Sequence, residues 1–421
     1  MKVDLIIENA AQLVTCASGG KPKRGAAMTD VGIIENGALA ISGGKIVAVG
    51  NTKEIAGNFQ TENVIDAGNK VVCPAFVDPH THVVFAGNRL NEFELKIKGA
   101  DYLEILENGG GIISTVKQTR EASLKSLIEQ SRRRLDEMLA CGTLTAEIKT
   151  GYGLDTATEL KMLEAIFELD KTHPIDLIPT FLPAHAFPPE FKGREDEYVA
   201  LICDEMLPEA KEIINYQSSI TNYFADVFCE KNAFNLEQSR RVLETAKRLG
   251  FGLKAHVDEF TNLGCARLAI ELGATSIDHL DATSDEEIAL LAASQTIGIV
   301  TPTVNFNFGS AHFADARKMI DKHCAIAVST DYNPGSAPCP SQPLAMAIAC
   351  RYQKLLPSEA FNAATINAAF AVGLGDKIGS LEVGKSADIL ILDTNDYRQT
   401  AYEFGANFIE TIIKTGKIIT R

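Results

Sequence analysis

Val71-Val72-Cys73-Pro74-Ala75-Phe76-Val77-Asp78-Pro79-His80-Thr81-His82 is an apolar run that closes on two histidines. Side chains alternate across an extended chain, so His80 and His82 project from the same side. Two imidazoles converging at a strand end suit a divalent metal. The pair alone is a weak signal. It gains weight because single residues of metal-binding type recur at the ends of later apolar segments: His185, His256, His279 and Asp331.

Working outward from this run, eight apolar, β-rich segments can be counted. They are 71–80, 143–149, 175–184, 224–229, 251–256, 275–279, 297–303 and 325–331. Helical patterns lie between them. Asp155 opens one, with Leu160, Leu163, Ile166 and Phe167 on one face. Asn235 caps another, running through Leu236, Val242, Leu243 and Ala246 to Gly250. Strand–helix alternation repeated eight times predicts an α/β fold, a parallel (β/α)8 TIM barrel. In that fold chemistry sits at the C-terminal strand ends, where these histidines and the aspartate fall.

The two ends of the chain have another rhythm. Ala38 to Gly50 reads as strand, Gly43-Gly44 turn, strand. Ala387–Asp393 and Thr411–Ile419 repeat that style. Each end alone has too few strands for a core. Both ends are therefore expected to combine in one small β-sandwich domain, from 1–70 and 376–421, with the barrel at 71–375 inserted between them. A long excursion, 83–120, follows the first strand. Its Gly109-Gly110-Gly111 lacks a following Lys-Ser/Thr and is read as a flexible turn.

Composition narrows the class. The chain has 421 residues, 46% apolar, with a net charge of −15. The acidic balance argues against nucleic acid and anionic membranes as partners, and it means that an anionic substrate needs a local cation. The nine cysteines are scattered without a C-x-x-C pair, so a reducing, cytoplasmic setting is expected. Met1 to Asn9 reads as a first strand rather than a signal peptide, and no run is long enough to span a membrane.

Taken in order, the predicted strands end in His80 and His82; Glu147-Ile148-Lys149, followed by Thr150-Gly151-Tyr152-Gly153; His185; Cys229-Glu230; His256-Val257-Asp258-Glu259; Asp278-His279; and Thr330-Asp331. Five of the eight histidines lie at these ends. His173, His312 and His323 lie in or beside predicted helices and receive no role.

This pattern, with the signature Val77-Asp78-Pro79-His80-Thr81-His82, resembles the amidohydrolase superfamily of metal-dependent hydrolases. Further segments are similar to a branch of it that opens the cyclic amide of an imidazolone carrying a propionate: Phe85–Arg89, Glu147–Leu154, Pro183-Ala184-His185, His256–Glu259 and Asp331–Ser336. The resemblance implies one divalent metal per chain, held by His80, His82, His256 and Asp331, with Zn(II) the first choice and Fe(II) the second. It implies catalytic roles for Asp331, His279 and Glu259, and substrate contacts from Arg89, Tyr152, His185, Glu259, Asn333, Gly335 and Ser336. Arg89 would clamp a carboxylate on a small-molecule substrate. Binuclear relatives use a bridging lysine at the end of strand four. That place holds Cys229-Glu230, and Lys149 belongs to strand two.

Three other readings share the scaffold. A nucleobase aminohydrolase would use the same histidines but would not need Arg89. A dihydroorotase-like enzyme would need the strand-four lysine. A non-catalytic scaffold would have lost ligands. A homodimer is the expectation from the prevalence of symmetric enzymes.

Overall fold

The computed structural model describes residues 1–99, 110–217 and 222–419. The eight barrel strands are β1 Phe76–Asp78, β2 Thr143–Lys149, β3 Asp176–Ala184, β4 Phe224–Cys229, β5 in two pieces (Gly252–Leu253 and His256–Val257), β6 Ser276–His279, β7 Ile297–Val300 and β8 Ile326–Val328. Neighbours pair in parallel in that order, and helices fill the connections. The first and last strands are joined past their ends. Thr81 bridges Tyr332, and the His82 N–H donates to the Tyr332 carbonyl at 2.9 Å. Gln342 Nε2 donates to the carbonyls of Val77 and Val328, at 2.8 and 3.1 Å. The result is a (β/α)8 barrel.

The second sheet draws on both chain ends. Its order is Lys417–Ile419, Ile409–Lys414, Ile389–Leu392, Val71–Pro74, Leu5–Val14, Ile33–Ser42, Lys45–Asn51, with Val64–Asp66 also on Leu5–Val14. The period-two rule sorts its side chains. Ile7, Leu39, Ile41 and Ile46 pack with Val72, Ile389 and Ile413, joining residues from both termini in one apolar cluster. Ile6, Ala38 and Ala40 face the other way, onto Val3 and Ile55. The Gly43-Gly44 turn has φ of 59° and 74°, the left-handed pair that a two-residue hairpin needs.

Four segments differ from the reading above: 251–256 is broken into Gly252–Leu253 and His256–Val257, 325–331 stops at Val328, and two more depart as follows. The run 71–80 is not one strand. Hydrogen bonding changes partner at Ala75, whose N–H reaches Asp388 in the end-derived sheet, while the Phe76 N–H reaches Gly142 in the barrel. The segment 297–303 stops at Val300, because Pro302 starts the helix Pro302–Asn307, where its missing N–H costs nothing. The helices hold where caps announced them. The Asp155 side chain accepts from Thr158 N at 2.8 Å at the start of Thr156–Asp170. Asn235 forms a capping box on Leu236–Arg248. Val242, Leu243 and Ala246 are buried there, whereas Leu236 is exposed on the outer face of the first turn.

The excursion holds two described helices, Leu90–Ile97 and Ile112–Glu121. Gly109 lies outside the described residues. Gly111 turns into the second helix at φ 77°, and its N–H donates to Glu92 Oε2 at 2.8 Å. Among the described residues no helix is long and apolar enough to cross a membrane.

Candidate active site

Five imidazoles and a carboxylate meet at the C-terminal mouth of the barrel. His82 Nε2 lies 3.4 Å from His80 Nε2 and 3.4 Å from His256 Nε2. Asp331 Oδ1 lies 3.5 Å from His80 Nε2 and 3.6 Å from His82 Nε2. Donor atoms about 2.0–2.1 Å from a tetrahedral ion stand about 3.3 Å apart, so this spacing fits a divalent cation held at the centre. His279 lies beside His80 and Asp331, in a second grouping of ligand-type atoms. The backbone is strained where it delivers these groups. Asp258, His279, Leu280 and Asp331 all have left-handed φ, at 56°, 82°, 70° and 48°. Such strain in non-glycine residues gathers at functional sites.

Carboxylates behind the rings fix their orientation. Asp278 Oδ2 lies 2.6 Å from His80 Nδ1, and Asp226 Oδ2 lies 3.0 Å from His256 Nδ1. The Asp278 contact is a hydrogen bond that keeps the proton on His80 Nδ1 and turns its Nε2 lone pair inward, as a metal ligand requires, whereas Asp226 meets His256 Nδ1 at ion-pair distance without hydrogen-bond alignment. His279 Nδ1 meets the Thr301 hydroxyl at 3.1 Å, and its Nε2 is buried with no hydrogen-bond partner. Burial holds His80, His82 and His279 well below the ordinary imidazole range and pulls His185 down to about 3. All four are therefore neutral at pH 7. Burial also raises Asp331 to about 7, and raises Glu259, with help from the Asp331 charge.

Beneath the rings lies a buried charge cluster. Lys149 Nζ contacts Asp226, Glu147 and Asp278 at 2.7, 2.9 and 3.2 Å, and Lys254 Nζ contacts Glu147 at 2.9 Å. Burial disfavours the Lys149 ammonium, yet the three carboxylates outweigh that and hold its pKa above the ordinary lysine range.

The walls are built by neighbouring loops. The His185 ring stacks on His82 with centroids 5.0 Å apart, and Tyr152 lies 5.8 Å from His82 and 5.4 Å from His185. Glu159 holds the Tyr152 loop, accepting from the N–H groups of Gly151, Gly153 and Leu154 at 3.0, 2.7 and 2.9 Å. Glu230, at the end of β4, accepts from Phe260 N and Thr261 N at 2.9 and 3.0 Å, and so anchors the loop that carries Glu259. Glu259 Oε2 stands 3.9 Å from His279 Nε2. Arg89 is forked on Glu92, with Nε 2.7 Å from Oε2, and its guanidinium lies directly against the α-carbon of Gly335.

The comparisons with known proteins agree with this geometry. The amidohydrolase family model matches residues 71–419. The chain belongs to the amidohydrolase family. Within it, the chain is 50% identical over 419 residues to the imidazolonepropionase of Chloroflexus aggregans, covering 99% of this chain and 98% of that one. It is 49% identical to the imidazolonepropionase of Herpetosiphon aurantiacus, at 99% and 97% coverage. These identities place it in the imidazolonepropionase branch. Among solved structures, an adenosine deaminase from Xanthomonas campestris with bound zinc superposes with a TM-score of 0.73 at 21% identity, covering 99% of this chain and 93% of that one. The guanine deaminase of E. coli matches with a TM-score of 0.73 at 18% identity, each chain 99% covered. At such identities the likeness is one of fold.

In this amidohydrolase the residues singled out from sequence come together, each in its own way. His80, His82 and His256 form one tight group, Asp331 stands within 3.6 Å of His82 and closer to His80, and His279, His185, Tyr152 and Glu259 lie around them. Arg89 and Gly335 touch at one side. Asn333 turns to its own loop: Nδ2 donates to Asp331 Oδ1 at 3.1 Å and Ser336 Oγ at 2.7 Å, and Oδ1 accepts from the N–H groups of Gly335 and Ser336 at 2.8 Å each. His173 pairs with Asp136 away from the site. Sequence reasoning missed Asp226 and Glu92, and gave Asp278 and Lys149 no role. Glu92 had a signal, since a carboxylate three residues after an arginine faces it on a helix.

Proposed function

We propose that this amidohydrolase opens the ring amide of 4-imidazolone-5-propanoate with water, giving N-formimidoyl-L-glutamate. The observation that carries this reading is the Arg89 guanidinium beside Gly335 at the same mouth as the histidine–aspartate cluster. A carboxylate clamp next to a hydrolytic centre suits a cyclic amide with a propionate arm, and a neutral nucleobase has no use for it.

His80, His82 and His256, through Nε2, and Asp331, through its carboxylate, would hold one divalent ion. Three imidazoles and one carboxylate suit Zn(II) first and Fe(II) second. A bound divalent ion supplies Lewis acidity and brings the pKa of a water toward neutrality. The chain's own groups do the rest. Asp331 accepts a proton from the attacking water. As the water oxygen bonds to the ring carbonyl carbon, charge develops on the carbonyl oxygen. With the Thr301 hydroxyl donating to His279 Nδ1, the imidazole proton is on Nε2, aimed at that oxygen. Collapse breaks the bond to the ring nitrogen, and Glu259 delivers a proton to it. Arg89 pairs with the propionate, and Tyr152 and His185 bound the ring. Gly335 and Ser336 close the other side. Asn333 positions Asp331.

Turnover of freshly generated 4-imidazolone-5-propanoate, followed by ultraviolet absorbance with and without a chelator, tests the proposal. Chelator-sensitive loss of the imidazolone with formimidoylglutamate appearing supports it, and no hydrolysis by metal-loaded protein overturns it.

A further inference from the structure

Lys149 has a fully buried side chain, and its ammonium meets three carboxylates. Two of those contacts share an oxygen with a metal-facing imidazole. Asp226 Oδ2 takes Lys149 at 2.7 Å and lies 3.0 Å from His256 Nδ1. Asp278 Oδ2 takes Lys149 at 3.2 Å and lies 2.6 Å from His80 Nδ1. One cation is thus joined through single oxygens to two of the rings, by a hydrogen bond to His80 and by an ion-pair contact to His256. Ligand-type atoms of Asp226, His256 and Asp278 lie within 4.8 Å of one another, a spacing that would itself attract a cation. Lys149 Nζ is the cation there.

We propose that Lys149 is a positioning residue of the metal centre: its ammonium pins Asp226 Oδ2 and Asp278 Oδ2, and through them aims His256 Nε2 and His80 Nε2. The inference rests on the metal-centre reading above. Without the ammonium the two carboxylates repel each other or take up a different cation, and the rings lose the partners that fix their tilt and tautomer. Lys254 provides the contrast. It is an equally buried lysine, but it bonds Glu147 and the Pro79 carbonyl, at 2.9 and 3.1 Å, and neither of the two bridging oxygens.

The test uses Co(II) as probe on the full-length protein stripped of metal. Affinity is read by competition with a chelator and ligand geometry by the visible ligand-field bands. Lys149→Met is expected to weaken Co(II) binding by about 10- to 100-fold and to shift the bands, while Lys254→Met leaves both at their wild-type values. A folded Lys149→Met with wild-type affinity and bands overturns the inference. So does an equal loss in both variants, which would mean only the removal of a buried charge. If Lys149→Met does not fold, Lys149→Gln, which keeps a neutral donor one bond shorter, takes its place beside Lys254→Met. Weaker binding and shifted bands in Lys149→Gln alone support the inference, and wild-type values or an equal loss in both overturn it. Wild-type protein that binds no Co(II) overturns the metal centre itself, and this inference with it.

Discussion

Gly335→Ala should damage substrate capture while leaving the fold and the metal centre intact. A Cβ at position 335 would fall 2.0 Å from Arg89 Nη1 and 2.5 Å from Cζ, where ordinary contact begins near 3.4 Å. The guanidinium must therefore retreat by about 1.4 Å (3.4 less 2.0). It is the far end of a flexible side chain, 15% exposed, so the retreat is taken up there, at the expense of its fork on Glu92, and leaves the backbone in place. Its effect is on aim. Charge-assisted hydrogen bonds to carboxylates hold only near 2.7–2.9 Å, so such a displacement forfeits one. A hydrogen bond to a charged group contributes about 1.5–3 kcal/mol. At 1.4 kcal/mol per tenfold, the Michaelis constant for the imidazolone should rise by roughly 10- to 150-fold. The turnover number should change little, because the guanidinium meets the propionate and not the reacting atoms. The assay is steady-state kinetics with metal content measured on the same samples. Arg89→Ala should raise the constant by a similar or larger amount, about 2–4 kcal/mol. Adding Gly335→Ala to it should then do nothing more, since both act through one guanidinium. An unchanged Michaelis constant in Gly335→Ala, or full additivity in the double variant, would refute the reasoning.

Asp331→Ala removes the proposed ligand and proton acceptor together, and turnover should fall by at least about 10²–10⁴-fold, measured after metal reconstitution. Chelation should abolish hydrolysis and lower the melting temperature, both restored by metal. Ligand at a hundredfold its dissociation constant contributes about 2.7 kcal/mol, and a melt that ignores the chelator would contradict this. His173 is buried, takes the Ile175 N–H on Nδ1 at 3.2 Å and faces Asp136 through Nε2, and burial lowers its pKa. Between that lowered value and 6.5 the unfolded chain binds the proton and the native state does not. Its contribution is therefore present above 6.5 and lost as pH falls. His173→Gln should remove up to about 1.4 kcal/mol per pH unit of that acid-side loss, read by urea unfolding at pH 5, 6 and 7.

Much of the architecture was legible because buried parallel strands are continuous apolar runs and helices announce their caps. Phe224–Cys229 and Asn235 are such cases. The change of sheet at Ala75 was not legible, since Val71 to Asp78 is uniformly apolar and extended up to its final carboxylate on both sides of the change. The His80–Thr81–His82 spacing declared the centre because two ligands sit in one short segment. Asp226 and Asp278 did not declare themselves. A carboxylate inside a strand shows its purpose only against a partner, and Asp278 meets His80 across 198 positions of sequence. Lys149 was weighed as a bridging ligand and set aside, and its three acidic neighbours come from three different strands.

The central claim is that one site joins hydrolytic metal chemistry to recognition of a carboxylate-bearing imidazolone. The most direct measurement is the ratio of kcat/KM for 4-imidazolone-5-propanoate to that for cytosine, guanine and dihydroorotate, on one metal-loaded preparation. The account predicts rapid conversion of the imidazolone to formimidoylglutamate and no detectable turnover of the other three. Ammonia released from a nucleobase, with the imidazolone untouched, would contradict it.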